Sequence, residues 1–140
     1  MSIKFDDKPI KALQESLVEA GYLTAELILT EANKLVPRDT GTLGRSGTIT
    51  FENLPNPQSI YSSAKSGRIT TTAKPVNKLN IKKLYISFNT PYAHRQHEDL
   101  QFNHPNGGEA KYLEKAWNKN IKRYRELYKQ ICAKKGLLPL

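Results

Sequence analysis

The stretch Ala32-Asn33-Lys34-Leu35-Val36-Pro37-Arg38-Asp39-Thr40-Gly41-Thr42-Leu43-Gly44-Arg45-Ser46 decides how the chain is read. Before it the hydrophobic pattern is helical; after it the pattern is that of a strand. Pro37 stops the helix, because the residue before a proline is pushed out of the helical region. Asp39 and Thr40 carry short oxygens that bond nearby backbone N–H groups. Gly41 and Gly44 admit positive φ. Residues 37–46 therefore read as a turn that redirects the chain from helix to sheet.

Upstream, residues 9–36 read as one helix about 40 Å long. Its stripe is Ile10, Leu13, Leu17, Ala20, Thr24, Leu27 and Glu31, widened by Val18, Ile28, Ala32 and Leu35. Downstream, Ile49 and Phe51 face one way while Thr48, Thr50 and Glu52 face the other, as in a strand. Residues 53–66, with two prolines and several serines, read as a loop. Arg68 to Ala73 is β-branched but lacks an apolar face. Lys82 to Asn89 is the clearest strand, with Leu84, Ile86 and Phe88 on one side.

Thr90-Pro91 has the chemistry of a helix start, Thr as cap and Pro in the first turn, with a short turn over Tyr92 to Glu98. A loop at 99–108 follows, and Asn106 with Glu109 resembles a capping box. A final helix is expected from about Glu109 to Cys132, its stripe Leu113, Ala116, Trp117, Ile121, Tyr124, Leu127, Tyr128 and Ile131. Gly136 and Pro139 lie in a short tail. The expected fold is α+β: a long N-terminal helix and a C-terminal helix packed on one face of a small antiparallel β-sheet. One domain is expected over 1–140, with a flexible basic loop at about 53–80.

Composition agrees with a globular chain. The 140 residues are 38% hydrophobic and 25% charged, with a mean hydropathy of −0.60. No segment approaches the ~20 apolar residues that cross a bilayer, and residues 1–7 lack the apolar run of a secretory signal. The single cysteine, Cys132, cannot form an internal disulfide or a cysteine-based zinc site. The net charge of +9 is unevenly spread. Residues 55–85 hold six basic and no acidic side chains, and residues 111–140 hold nine basic and two acidic. Such blocks suit an acidic partner, nucleic acid or protein, or form a solvated face.

Three constellations bear on chemistry. Asp39-Thr40-Gly41 matches the catalytic triplet of aspartic proteases, which needs two opposed aspartates sharing a proton. That loop also needs an apolar strand before the Asp, and here Pro37 and Arg38 precede it. His94, His97, Glu98 and His104 are the residues from which a metal site would be drawn, but their spacing matches no recognised ligand set. Cys132 lies near the end of a basic helix, where a thiolate is favoured, or serves as a small packing residue. No phosphate-binding Gly-rich loop and no Gly-x-Ser-x-Gly elbow is present. No cofactor is expected. Tyr112, Trp117, Tyr124 and Tyr128 on the basic C-terminal helix suit either nucleic-acid stacking or the core.

Two segments together carry a family resemblance. The first is Leu35-Val36-Pro37-Arg38-Asp39-Thr40-Gly41-Thr42-Leu43 with Ser46. It resembles the Val-Pro-x-Asp/Glu-Thr-Gly-x-Leu-x-x-Ser signature of minor capsid and tail-completion proteins of tailed bacteriophages. The second is Phe88-Asn89-Thr90-Pro91-Tyr92-Ala93-His94-Arg95-Gln96-His97-Glu98, similar to that family's strand followed by Thr-Pro-Tyr-Ala. Asn106-Gly107-Gly108-Glu109-Ala110-Lys111-Tyr112-Leu113-Glu114-Lys115-Ala116 completes the order, with Leu113 where relatives carry a second aromatic.

The resemblance implies a non-enzymatic structural protein of the virion head–tail junction, made in the host cytoplasm. Its partners would be copies of itself in a closed ring, other neck and tail proteins, and DNA in the channel, with no membrane. Six-fold symmetry follows the tail of relatives; twelve-fold suits a seat on the portal side. Pro37, Asp39, Thr40, Gly41, Leu43, Ser46, Pro91, Tyr92 and Ala93 would then define the fold, with Tyr92 packing its ring. Lys65, Arg68, Lys74 and Lys78 of the basic loop would contact partner or DNA. The alternatives are a basic DNA-binding protein and a small hydrolase using Asp39 or the histidines.

Overall fold

The computed structural model describes residues 1–37, 41–68, 78–93 and 111–139. Its spine is α1, Lys8–Leu35, entered through Pro9 in the first turn and left at Val36, whose backbone is extended. A one-turn helix α2 (Thr42–Arg45) leads into strand β1 (Gly47–Phe51). Helix α3 (Pro57–Lys65) and a 3₁₀ turn (Lys78–Asn80) precede strand β2 (Leu84–Phe88). Two helical segments end the chain, α4 (Tyr112–Asn120) and α5 (Arg123–Lys134). The architecture is α+β: the long helix packs against the C-terminal helical arm and a two-stranded antiparallel sheet. No helix among the described residues is long and apolar enough to cross a membrane.

The strands pair antiparallel with Ile49 opposite Ile86, Phe51 opposite Leu84 and Gly47 opposite Phe88. Because side chains alternate along a strand, these six share one face. That face meets α1 at Tyr22, Ala25 and Leu29, and the Tyr22 and Phe51 rings stack at 5.9 Å. Gly47 is needed where it stands. A Cβ there would lie 2.8 Å from Leu29 Cδ1 and 2.9 Å from Phe88 Cε1. Gly47→Ala should therefore lower stability by about 1 kcal/mol, the low end for overpacking, since the Leu29 tip can give way. A urea midpoint unchanged from the parent would contradict that close fit.

The C-terminal arm runs antiparallel to α1. Its first segment meets the far half of α1, where Ile28 and Ala32 pack on Ala116 with Leu113 and Ile121. Its second meets the near half, where Leu13 and Ala20 pack on Tyr128 and Cys132. Small residues on α1 let the helices approach: Ala20 and Ala32 are fully buried, and a Cβ on Gly21 would sit 3.3 Å from the Tyr124 ring. Tyr124 Oη donates to the Leu17 carbonyl at 3.2 Å.

Several expectations change. Residues 57–65 are a helix instead of loop: Asn56 Oδ1 accepts Gln58 N (3.0 Å) and Ser59 N (3.3 Å), and Pro57 fills the first turn. The expected mobile segment at 53–80 thus contains α3 and a 3₁₀ turn, and its residues 69–77 lie outside the described ones. Gly44 lies inside α2, without positive φ. The single C-terminal helix divides at Ile121–Lys122. Asn120 Nδ2 donates to Ala116 O at 3.0 Å, and Tyr124 N turns to Ile121 O, a tighter 3₁₀ step. Trp117, expected in the stripe, is 46% exposed, because the buried line is Tyr112, Ala116 and Asn120. Ile10 is exposed as well.

Candidate functional site: a clasp between the bend and the second strand

The segments singled out in the sequence meet at one end of the molecule. Val36 and Leu43 from the bend, Ala93 beyond β2, and Tyr112 at the start of α4 form one buried cluster. Leu35, Phe88 and Leu113 pack against it. Tyr112 is its centre. Its ring is 1% exposed and meets Phe88 edge-on at 5.1 Å, the arrangement that aromatic quadrupoles favour. Its hydroxyl donates to the Ala93 carbonyl at 3.0 Å. Burial pushes that phenol far above the ordinary tyrosine range, so it stays a neutral donor.

A reciprocal polar clasp lies beside the cluster. Ser46 Oγ donates to Leu43 O at 2.7 Å and accepts the Asn89 backbone N–H at 3.0 Å. Asn89 Nδ2 donates back to Ser46 O at 2.9 Å and lies 3.2 Å from Ser87 Oγ. Both residues are buried. Two side chains thus satisfy backbone groups just past the paired strands, where the ladder no longer does so. The bend itself turns on Gly41 at φ +79, a left-handed position suited to glycine, which caps α2 through its carbonyl to Arg45 N. Arg45 Nε then donates to Ala64 O at 2.9 Å, tying α2 to α3.

Among the residues expected to define the fold, Pro37, Leu43, Ser46 and Ala93 are buried here, and Gly41 turns the bend. Asp39 and Thr40 lie outside the described residues, as do His94, His97, Glu98 and His104. Tyr92, expected to pack its ring, is exposed at 36%, and the packed tyrosine is Tyr112. Pro91 is exposed in the turn that follows Thr90. Thr90 does not cap with its side chain: its buried Oγ1 has no partner among the described residues, and Ala93 N bonds the Thr90 carbonyl instead. The resemblance gives Asn89 no role, although a polar residue directly after an apolar strand was an available signal; Tyr112, read as suiting either stacking or the core, is in the core.

Of the four candidate contact residues, Lys65, Arg68 and Lys78 are among the described ones. Lys65 and Arg68 are exposed, with Lys65 Nζ 5.2 Å from the Tyr61 ring centroid, and Lys74 is outside the described residues. Lys78 is committed internally: its Nζ lies 2.7 Å from Glu19 Oε1, which Lys135 Nζ also reaches at 3.2 Å. Burial alone would raise the Glu19 pKa, but hydrogen bonds from Lys78 and Lys135 outweigh it and hold the carboxyl below its ordinary value. The pair energy is present at neutral pH and fades as pH falls through that depressed pKa. Glu19→Gln should cost under about 1 kcal/mol at neutral pH and almost nothing in strong acid. Urea midpoints at the two pH values decide it, and an equal loss at both would contradict the pairing.

No family model, no curated protein and no solved structure matches the chain.

Proposed function

We propose that this chain is a structural virion protein of the phage head–tail junction, working through subunit interfaces as a closed ring. The observation that carries the reading is the convergence of the motif segments. Val36, Leu43, Ser46, Asn89, Ala93 and Tyr112 are buried and bonded to one another or to backbone. Residues spent in this way hold the bend against the sheet, which is the work the resemblance implies for Leu43, Ser46 and Ala93. Head-to-tail contacts that close give a cyclic ring. The test is cryo-electron microscopy of the parent particle. A ring of copies between portal and tail is expected; absence from that junction would overturn the proposal.

A second reading, contact with duplex DNA, draws on the C-terminal arm. Lys122, Arg123, Arg125 and Lys129 are exposed, and no ion pair engages them among the described residues. Clustered cations of this kind neutralise phosphates without reading sequence. Retardation of random duplex that weakens with salt and is lost when Lys122, Arg125 and Lys129 become Gln would favour it.

A further inference from the structure

The cations of the C-terminal arm divide into two groups. Lys111 pairs with Glu114, Lys119 with Glu31 and Lys135 with Glu19. Lys122, Arg123, Arg125, Lys129 and Lys134 are exposed, and no ion pair engages them among the described residues. Lys122, Arg125 and Lys129 recur at spacings of three and four. They form one stripe along α5, about 10 Å long at the rise of a helix. The stripe lies away from Tyr124, Leu127, Tyr128 and Ile131, which pack on α1. Arg125 and Lys129, four residues apart, are like charges on one face and work against the stability of the free helix. Glu126 is the one carboxylate on α5, and the charge of the stripe exceeds what it can offset.

The basic block at 55–85 is differently placed. Lys78 is held by Glu19, Lys65 Nζ stands over the Tyr61 ring, and Glu52 attracts both Lys82 and Lys83. The aromatic rings of α5 are also taken: Tyr128 is buried, and the Tyr124 hydroxyl donates to Leu17 O. The exposed Trp117 belongs to α4. Single-stranded nucleic acid is held by bases stacked on aromatic rings as well as by charge, and the α5 stripe offers no ring. A duplex carries one negative charge per about 1.7 Å of its axis, so the length that faces the stripe holds enough phosphate for every uncommitted cation of α5. An acidic peptide, extended at about 3.4 Å per residue, would need a carboxylate at every position to match the stripe alone.

We infer that the exposed face of α5 is a docking surface for the phosphate backbone of double-stranded DNA, centred on Lys122, Arg125 and Lys129, with Arg123 and Lys134 on one flank. Packing on α1 and the Lys135–Glu19 pair hold the helix that carries these cations. The inference rests on the second reading above and deepens it, naming duplex over single strand and α5 over the basic block. It assumes no ring.

The test measures binding of the full chain to a labelled random DNA duplex by fluorescence anisotropy across a salt series. The plot of log affinity against log salt should fall with a slope of about −0.9 for each phosphate neutralised. Lys122→Gln, Arg125→Gln and Lys129→Gln should each reduce that slope by about one and weaken binding severalfold at low salt. Glu126→Gln should tighten binding, and the pair Lys65→Gln and Arg68→Gln should leave it unchanged. Urea midpoints of the stripe variants, expected at or above that of the parent, show that loss of binding is not loss of fold. Three results would each overturn the inference: equal weakening by the pair at 65 and 68, tighter binding of a single strand of the same length, or displacement by poly-glutamate as readily as by unlabelled duplex at equal charge. Duplex binding untouched by all three stripe substitutions would sink the stripe and leave DNA contact standing. No binding even at low salt would sink both.

Discussion

Tyr112→Ala should cost about 3–5 kcal/mol, the range for removing a fully buried aromatic ring. The ring fills the space between Val36, Leu43 and Ala93, and Phe88 rests edge-on against it. Its removal opens a cavity at the point where bend, second strand and C-terminal arm join. The surrounding backbone is poorly placed to collapse into it, since Leu43 and Ala93 belong to two separately anchored segments. A chain of this size has a total stability of roughly 5–15 kcal/mol, so the variant should lose a large part of it. Tyr112→Phe separates ring from hydroxyl. It removes only the bond to the Ala93 carbonyl and should cost about 1 kcal/mol. Chemical denaturation of the two variants checks the pair. Equal losses would mean that the hydroxyl, and not the packed ring, holds the junction.

Ser46→Ala is the second large effect, about 2 kcal/mol. The side chain is small, so little packing is lost. The cost comes from the Asn89 N–H, which loses its acceptor in a buried place where water does not replace it. Leu43 O is less affected, because Ser46 N also bonds it at 3.1 Å. Ser46→Thr keeps the oxygen and should recover part of the loss if the added methyl is accommodated. A Ser46→Ala chain as stable as the parent would contradict the clasp.

The helix and strand patterns were legible because one face of each is buried by a single partner. α1 ends where Pro37 demands it, and Leu84, Ile86 and Phe88 point at α1 as their alternation requires. Helix α3 was hidden by composition. Its serines and flanking prolines read as loop, although Asn56-Pro57 carries the chemistry of a helix start. The C-terminal stripe was right at Leu113, Ala116, Ile121, Tyr124, Leu127, Tyr128 and Ile131 and wrong at Trp117. Asn120, a buried polar residue, interrupts the periodicity, and the helical path tightens beside it. Trp117, before that step, lies on the flank of the buried line Tyr112, Ala116 and Asn120.

The site was legible only as a set of segments. The resemblance placed Ser46 and Ala93 among the fold-defining residues, but their partners are 43 residues away for Ser46 and 19 for Ala93. Nothing local in the sequence announces such pairs. Tyr92 attracted the packing role because it is an aromatic inside the motif, whereas the tyrosine that fills the junction arrives from the next helix. Lys78 was likewise read by its neighbours in sequence, and its charge is answered from α1 by Glu19.

The claim beneath this account is that the bend at 36–46 is locked to the end of β2 through side chains. Amide hydrogen exchange at Asn89 reads that lock directly. In the parent chain the Asn89 amide should exchange as slowly as the core amides of α5, because Ser46 Oγ accepts it in a buried place. In Ser46→Ala its protection should fall by more than the global loss of stability, while the α5 amides fall only by that global amount. Fast exchange at Asn89 in the parent, or equal losses at Asn89 and in α5, would contradict the account.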